Sequence, residues 1–525
     1  MQNPITTLMN VFRSSSSLAV VPADGGSLNP RAFDGGKNGR RLAAIPSTTT
    51  AINDLIRTYG RTAVARSRYL CTNNPYAQAA KEAFTTAVAG FGIKPSSLIT
   101  NAAIKKEVQQ LWLDSVHEMD ADGVTDFYGM QGLAAAELFE AGEVFFIRTD
   151  APTGRYTTTP LRLRLVPAEM LPYEYTIPAY SGKNKIVMGI EFDDQGNRVA
   201  YHFHKKHPGT NPLMESTDFG YQRIPAENVI HLFKPIRVGQ VRGVPHTLAS
   251  LVSLSMLDLY DDAELERKRV AALFAAFVTT APQVGDDADN GTHPLGASNA
   301  GGVSSSDQFA MEPGAVIDLL PGETVNFAEP ADVGANYEAF QYRNLLRAAA
   351  GMGVPYISMT GDLRQANYGS IRAGLVEFRR RVTAIQHGVM VHQLCRPVWT
   401  WWMDGLAFLG SLPMSRTAYM RERAANLRAK YIPPRWDWVD PLKDRQAEKL
   451  AVDNGFKARS DVQEEEGYDP EETDDRILAD QTRAESLGLK LNTGAVLPPS
   501  EDPAAGDDGK EDIAGQPPRE KPDNA

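Results

Sequence analysis

The sequence predicts an α+β fold that is mainly helical. Apolar residues recur every three or four positions over much of the first part of the chain and again over 244–277, as in amphipathic helices. Between 143 and 233, short segments alternate apolar and polar residues, as half-buried strands do. The 525 residues exceed what one hydrophobic core usually covers, so we expect two or more modules with tails.

Composition and termini argue against several classes of protein. No run approaches the roughly 18 to 20 apolar residues of a membrane span, and the N-terminus lacks the charged start and apolar block of a signal peptide. We therefore expect an intracellular product with no membrane partner. Cys71 and Cys395 are too few for a disulfide framework or a metal cage, so both are expected to be small buried residues.

The net charge of −11 is distributed unevenly along the chain. Residues 441–525 include 22 acidic and 11 basic residues, and the rest of the chain carries 43 of each sign. A neutral body argues against a nucleic-acid-binding protein of the usual basic kind, whose affinity comes from neutralising phosphates. It is compatible with a protein past which nucleic acid slides without being gripped.

The first module is expected over 51–237, after a mobile arm of residues 1–50 that is rich in Ser, Gly, Asn and Thr. Helices are predicted from 51 to the Asn74-Pro75 break, and then over 76–88, 105–119 and 126–141. Strands are predicted over 143–148, 161–166, 190–192, 199–204 and 229–233. The turn at 193–197 makes the third and fourth of these strands a hairpin.

A long amphipathic helix is predicted over 244–277, and Pro245 suits its first turn. Apolar residues recur along one side, namely Leu248, Val252, Met256, Leu259, Ala263, Val270, Phe274 and Phe277. A helix of about 45 Å either spans an assembly or forms a long core helix within one domain, and the residues alone leave both open. The Gly- and Ser-rich stretch 281–308 is expected to be a flexible insertion, followed by a strand pair over 315–320 and 324–327.

A helix, a polar loop and a second helix are predicted over 337–398. Gly351, Gly353 and Pro355 are expected to end the first helix after residue 350, and the second is expected to begin near Ser370. The loop carries four polar side chains, those of Arg364, Gln365, Asn367 and Tyr368. On these residues alone, the segment is either an ordinary helical hairpin with a solvated loop or a hairpin that presents its loop to a partner.

The C-terminal part is predicted to be helical and to end in an acidic tail. Trp399, Trp401 and Trp402 are expected to anchor a core or an interface. The helical prediction continues over 405–432 and resumes in the charged stretch 441–488. Residues 498–525 have the composition of disordered segments.

The sequence shows no catalytic constellation, since it contains no phosphate-binding loop, nucleophile elbow or HExxH motif. His202 and His204 share a strand face at a spacing that can hold zinc, and His207 is near enough to suggest a metal-dependent hydrolase. No carboxylate or cysteine lies at a matching short spacing, so exposed histidines at a strand end are the favoured interpretation. We expect no enzyme activity, no metal and no cofactor.

Short segments in a fixed order carry a resemblance to a known family. They are RSRYLCTNNP at 66–75, GFGI at 90–93, LVPAEML at 165–171, IPAENVIH at 224–231, GQVRGVP at 239–245, GMGVPYISMTGD at 351–362 and NYGSIR at 367–372. Together with the order of elements, an α+β module, a long helix, an insertion, a returning helix, a loop and another helix, they resemble phage portal proteins of the lambda family. The resemblance covers roughly 51–478.

This resemblance implies the phage portal fold in a ring oligomer, typically a dodecamer, at one vertex of the capsid. The implied regions are a flexible arm (1–50), an α+β wing (51–244), a descending stem helix (245–277), a clip (278–331), an ascending stem helix (332–353), a tunnel loop (354–370), further wing helices (371–440), a crown-like helical region (441–488) and a disordered acidic tail (489–525). The implied partners are the terminase large subunit, the major capsid protein and scaffold, head-completion or tail connector proteins, and double-stranded DNA passing without sequence specificity. The location would be the virion, after assembly in the cytoplasm of the bacterial host.

The resemblance also assigns candidate site residues. The tunnel loop would offer Arg364, Gln365, Asn367 and Tyr368 to the DNA. The stem would contribute Asp261, Asp262, Glu264, Arg267, Lys268, Arg343 and Arg347. A non-portal head or tail adaptor is the alternative, and the hydrolase using His202, His204 and His207 is a further one.

Overall fold

The structure, a computed structural model, describes residues 49–150, 159, 161–180, 182–210, 220–273, 277–280, 323–326, 336–364, 367–436 and 441–489. The predicted arm (1–50), the predicted insertion (281–308) and the tail (489–525) lie outside the described residues, apart from one or two positions at their edges.

Helices open the described chain. They are α1 (Ile52–Asn73), α2 (Pro75–Val88), α3 (Ala102–Val116) and α4 (Phe127–Glu140), with the short strand β1 (Lys94–Ser97) between α2 and α3. The Asn74 side chain accepts a hydrogen bond from Ala77 N at 2.8 Å and Pro75 occupies the first turn, so the predicted break is confirmed. The predicted helix at 105–119 lies three residues nearer the N-terminus, because the Asn101 side chain caps the N–H groups of Ala103 and Ile104.

The strands that follow are β2 (Glu143–Asp150), β3 (Leu161–Pro167), β4 (Lys185–Val187), β5 (Ile190–Phe192), β6 (Arg198–His204), β7 (Tyr221–Pro225) and β8 (Val229–Phe233). All the pairings are antiparallel: β2 lies between β3 and β8, and a second sheet has the order β4-β5-β6-β7. The predicted hairpin at 190–204 is confirmed. The sequence did not predict β4, which is three residues long, or β7, whose residues are mostly exposed.

The long helix predicted over 244–277 is shorter at both ends. A 3₁₀ turn at His246–Ala249 precedes α5 (Leu251–Leu273), which is roughly 35 Å long. Phe277 belongs instead to β9 (Phe277–Thr280), where an aromatic and β-branched run favours an extended chain. β9 pairs with β10 (Glu323–Asn326), which corresponds to the strand predicted at 324–327. The partner predicted for β10, residues 315–320, lies outside the described residues.

The helix α6 (Asn336–Met352) returns alongside α5 in the antiparallel direction. Ser250 Oγ, just before α5, donates to the carbonyl of Ala348 near the end of α6 at 2.8 Å. Near the start of α6, Tyr337 and Gln341 donate to Asp261 in the middle of α5. The prediction that Gly351 ends this helix is wrong. Gly351 lies within α6 and packs so closely on Ser250 that a Cβ there would be 2.2 Å from Ser250 Oγ, which favours glycine at this position. Gly353, with φ +76°, follows the end of the helix.

The segment predicted as one polar loop over 354–370 contains regular structure. The short helix α7 (Tyr356–Thr360) occupies its first half. The next helix, α8 (Tyr368–Ile385), begins two residues before the predicted start because Asn367 and Ser370 form a capping box. It continues without a break through a π-helical stretch (Gln386–Cys395) into α9 (Arg396–Leu409).

The helix predicted over 405–432 is wrong after Leu409. Gly410 adopts φ +73° there, and the short helices α10 (Arg416–Arg421) and α11 (Arg423–Asn426) follow. The strand β11 (Ala429–Ile432) then pairs with β1. The helical prediction for 441–488 is confirmed by α12 (Pro441–Asp453), α13 (Arg459–Glu465) and α14 (Pro470–Ser486).

The main core joins the N-terminal helices to the long C-terminal helix. Trp112 on α3 lies with its ring centroid 5.2 Å from that of Trp399 and 5.0 Å from that of Trp402, and all three are fully buried. The tryptophan block therefore anchors the core, as predicted. Cys71 and Cys395 are also buried and free, which confirms their predicted role. In the part of the chain that is described, no helix is both long enough and apolar enough to cross a membrane.

Candidate functional site

The start of α5 is fixed to the first sheet by a buried ion pair. Glu143, the first residue of β2, accepts hydrogen bonds from Arg242 Nε at 2.7 Å and from Gly243 N at 2.6 Å. His231 Nε2 lies 3.0 Å from the same carboxylate. The Arg242 guanidinium also donates to the carbonyls of Met188 and Ala168, so its charge is fully enclosed by partners.

The electrostatics of this cluster follow from its burial. Burial alone would raise the pKa of Glu143, but Arg242 and His231 outweigh it and hold that pKa at about 2. Burial dominates for His231 and lowers its pKa to about 4, so the ring is neutral. In the sequence, the segment 239–245 stands out only as part of a resemblance, because no local pattern shows that Arg242 meets a carboxylate about a hundred residues away.

The helix pair α5–α6 is joined by a polar and aromatic seam. Asp261 accepts from Tyr337 Oη at 2.9 Å and from Gln341 Nε2 at 2.6 Å. The rings of Tyr260 and Tyr337 stack at 6.0 Å, and Lys268 Nζ lies 5.4 Å from the centroid of the Tyr337 ring. Partial burial and the bond to Asp261 raise the pKa of Tyr337 to about 12.

The predicted stem residues therefore divide into two groups. Asp261 and Lys268 contact α6, and the buried Glu264 accepts from Arg267 at 2.6 and 2.9 Å. The contacts of Asp261 and Lys268 hold the helix pair together, whereas the Glu264–Arg267 pair lies within α5. Asp262 on α5, and Arg343 and Arg347 on α6, are exposed.

The polar tip of the predicted tunnel loop is already engaged within the chain. Arg364 donates to both carboxylate oxygens of Asp362 at 2.9 Å and to Glu338 on α6 at 2.7 Å. These contacts raise the pKa of Arg364 and lower that of Asp362, with their mutual hydrogen bonds as the main cause. Arg364 is nevertheless 69% exposed along its side chain, so a polyanion can reach it.

The other three predicted loop residues differ from Arg364. Asn367 is the N-cap of α8 and accepts from Ser370 N at 2.8 Å, so its side chain has a structural role that the loop prediction missed. Tyr368 is the first residue of α8, not part of the loop. Gln365 lies outside the described residues.

The histidines of β6 do not form a metal centre with one another. His202 Nε2 contacts Glu191 at 3.1 Å and is half-buried, which corrects the expectation that it is exposed. The His204 ring packs on Tyr221, and His207 Nδ1 accepts from Gly209 N. Hydrogen bonds from Arg223, Asn184 and His202 hold the pKa of Glu191 at about 2. Over the described ranges, no group of three His, Cys, Asp or Glu side chains is placed to hold a metal ion.

Fold and site together define an α+β protein organised around an antiparallel helix pair that is anchored to a sheet at one end. The model of the family "Phage portal protein, lambda family" matches residues 38–386, which is more than half of the chain. The chain belongs to the lambda family of phage portal proteins. The predicted family and the mainly helical α+β portal fold are therefore confirmed.

Individual relatives are distant. The probable portal protein of Halomonas phage phiHAP-1 is 27% identical over 60% of this chain, which spans 59% of that protein's length. Portal protein B of Escherichia phage lambda is 23% identical over 74% of this chain and 75% of its own length. Among solved structures, the neck of an empty GTA particle computed with C6 symmetry covers 78% of this chain and 94% of its own, with a TM-score of 0.47 and 15% identity.

The family decides between the alternatives that the sequence left open. A portal protein is a structural component of a phage, so the prediction that the chain is not an enzyme is confirmed. The match also favours a portal protein over the non-portal adaptor and over the hydrolase using the three histidines.

Proposed function

We propose that this chain forms a ring, typically of twelve copies, at one vertex of a phage capsid. The ring would be the channel through which the terminase large subunit packages double-stranded DNA and through which the DNA later leaves. The observation that carries the proposal is the anchored helix pair α5–α6 in a chain of the portal family. In each copy, one side of the α5–α6 pair would be joined to the wing, and another side would be available to contact neighbouring copies in the ring.

Within this proposal, the α+β part and the long helix from α8 to α9 form the wing, and α5 and α6 form the stem. The clip (278–331) would meet the terminase and the head-completion or tail connector proteins, and the crown would comprise α12 to α14. The major capsid protein and the scaffold would surround the ring at the vertex. The buried Glu143–Arg242 pair then fixes the angle between wing and stem, because it joins β2 to the turn that precedes α5.

The charge distribution suits a channel for a polyanion. The chain before residue 441 is neutral, and Arg364 is balanced by Asp362 and Glu338. Since tight sequence-independent binding of DNA needs a surplus of cations, a balanced wall lets the duplex slide. A loop arginine that can exchange between carboxylates and phosphates would touch the DNA without holding it.

Negative-stain microscopy of the purified full chain at micromolar concentration tests the proposal. We expect closed rings with a central hole wide enough for a DNA duplex. A population of monomers or small dimers under the same conditions would contradict the proposed function.

A further inference from the structure

An apolar stripe lies on the outer side of α5 and of the 3₁₀ turn before it. Leu248, Val252, Met256 and Leu259 follow one another at helical spacing, and each is between 46% and 66% exposed. Leu254 and Leu257, on the inner side of the same helix, are buried. A contiguous apolar stripe of this kind on a surface is typical of a protein–protein contact.

The same chain also has an apolar cleft beside α6. The cleft has a volume of about 470 Å³ and lies between α6, the segment around α7, and α8. Its apolar lining includes Tyr342, Leu346, Val354, Pro355, Ile371 and Leu375. Leu346, at the mouth, is 45% exposed. The chain therefore presents both a convex and a concave apolar surface.

The two surfaces lie at the same height along the helix pair. Ser250 contacts Ala348 at one level, and Asp261 contacts Tyr337 at another, about three turns away. Val252, Met256 and Leu259 of the stripe occupy the interval between these levels on α5, and Tyr342 and Leu346 occupy it on α6. A rotation about an axis parallel to the helix pair preserves height, so the stripe of one copy and the cleft of the next can meet.

The charges next to the two surfaces are of opposite sign. Asp262 is exposed on α5 beyond the stripe, and Glu266 nearby already pairs with Arg269, whereas Arg343 and Arg347 are exposed on α6 beside the cleft. Among the residues that the structure describes, no carboxylate pairs with either arginine. On the far rim of the cleft, Glu377 lies 3.7 Å from Arg381 Nε and 4.0 Å from Arg380, so the carboxylate there is already engaged.

We propose that the apolar stripe of α5 docks into the cleft between α6 and α8 of a second copy of this chain. Such a contact joins two different surfaces, so it propagates from copy to copy and closes into a ring when the rotation between neighbours divides a full turn. The inference rests on the proposed ring and adds to it which surfaces meet.

Cysteine cross-linking of the full chain tests this pairing. The variant Val252→Cys/Leu346→Cys places one thiol on the stripe and one at the mouth of the cleft, both at exposed positions. The native Cys71 and Cys395 are buried, and burial raises the pKa of these thiols to about 11 and about 12, so they stay protonated. After mild oxidation of assembled rings, we expect a ladder of covalent multimers that extends to the full ring.

Single variants sharpen the test. Val252→Cys alone and Leu346→Cys alone should remain uncross-linked. Rings assembled from a mixture of these two single variants should give covalent dimers and nothing larger, because each chain then carries one new thiol. Val124→Cys/Leu346→Cys is the matched control, because Val124 is 81% exposed but far from the stripe in sequence and on another segment, and it should give no ladder. Met256→Cys/Leu375→Cys is a second pair across the same contact and should also give a ladder.

Microscopy of the same samples separates two kinds of failure. Rings that give no ladder with either pair would overturn the pairing of stripe and cleft and leave the proposed function standing. Cross-links within one chain, identified by peptide mass, would overturn the pairing as well. Samples without rings would overturn the proposed function and the pairing together.

Discussion

Arg242 and Glu143 form an ion pair that is completely buried, and each partner compensates for the desolvation of the other. Removing one partner leaves the other charge unpaired in a medium of low polarity, which is more costly than the loss of a hydrogen bond. Substitutions in this pair therefore test whether the junction between β2 and the turn before α5 holds the fold together.

We predict that Arg242→Ala lowers the free energy of unfolding by about 3 to 5 kcal/mol, as expected when a buried pair loses one member. Urea denaturation followed by circular dichroism measures the change. Arg61→Ala is the control, because Arg61 pairs with Glu174 at an exposed site and should contribute almost nothing. Equal stability of the two variants would show that the Glu143 cluster is not a structural anchor.

The buried His231 and the partly buried His246 should make the protein sensitive to acid. Burial lowers the pKa of His231 and of His246 to about 4, against an ordinary value of 6.5. Between these values the unfolded chain takes up a proton that the folded chain does not, so stability falls as the pH drops from about 6.5 toward 4. Glu143 adds a further loss between about 4.5 and 2, where the unfolded carboxylate is protonated first.

We therefore expect the urea midpoint to fall steadily between pH 7 and pH 5. His246→Asn should reduce this dependence, since the amide can still donate to the Leu138 carbonyl as His246 Nδ1 does but does not titrate. A pH profile for the variant that is parallel to that of the parent would contradict the assignment of His246 as an acid-sensitive group.

The helix pair α5–α6 depends on a close approach at Gly351. A Cβ at this position would lie 2.2 Å from Ser250 Oγ, which is occupied in a hydrogen bond to Ala348. We predict that Gly351→Ala destabilises the fold by about 1 to 3 kcal/mol, the usual cost of overpacking. Thermal unfolding measures the effect, and adding Ser250→Ala should recover part of the loss by removing the clash.

Gly388 provides the matched control for Gly351. It lies at an exposed position of the π-helical stretch after α8, and a Cβ there would meet no atom within 4 Å. Gly388→Ala should raise stability slightly, because alanine loses less backbone entropy in a helix than glycine does. A stabilising effect of both substitutions would show that the contact between α6 and Ser250 is looser than the structure describes.

Substitutions in the loop between α7 and α8 should affect function rather than assembly. Arg364→Ala should leave ring assembly intact, because its ion pairs are exposed, and should change the packaging or retention of DNA in a complementation assay. Arg364→Lys, which keeps the charge, should stay closer to the parent. Asn367→Ala is unsuitable for this purpose because it removes the cap of α8. If Arg364→Ala particles package and retain the genome like the parent, the loop does not touch the DNA.

The molecule as a whole shows which features could be predicted from its sequence. Periodicity and capping signals predicted most helices of the described chain and the 190–204 hairpin, because these depend on neighbouring residues. The end of the long helix near Phe277 was missed, because the β9–β10 pairing joins segments more than forty residues apart. The role of Gly351 was misjudged for a similar reason, since only the packed structure shows Ser250 beside it.

The candidate site was predicted only in outline. Asp261 and Lys268 were expected to belong to the stem, but their contacts with Tyr337 depend on the packing of α6 on α5. Arg364 was correctly identified as an exposed polar group. Its ion pair with Glu338 joins the loop to α6, and no pattern of neighbouring residues predicts such a contact. Glu143, His231 and Arg242 were missed, because the sequence gives no sign that they meet.

A reconstruction of the purified full chain by electron cryomicroscopy would show whether the chain forms a ring and which elements line its hole. We expect a closed ring in which the helix pair α5–α6 of every copy lies next to the central hole, with the stripe of each copy against the cleft of its neighbour. A particle without a ring, or a ring with this helix pair on its outer rim, would contradict it.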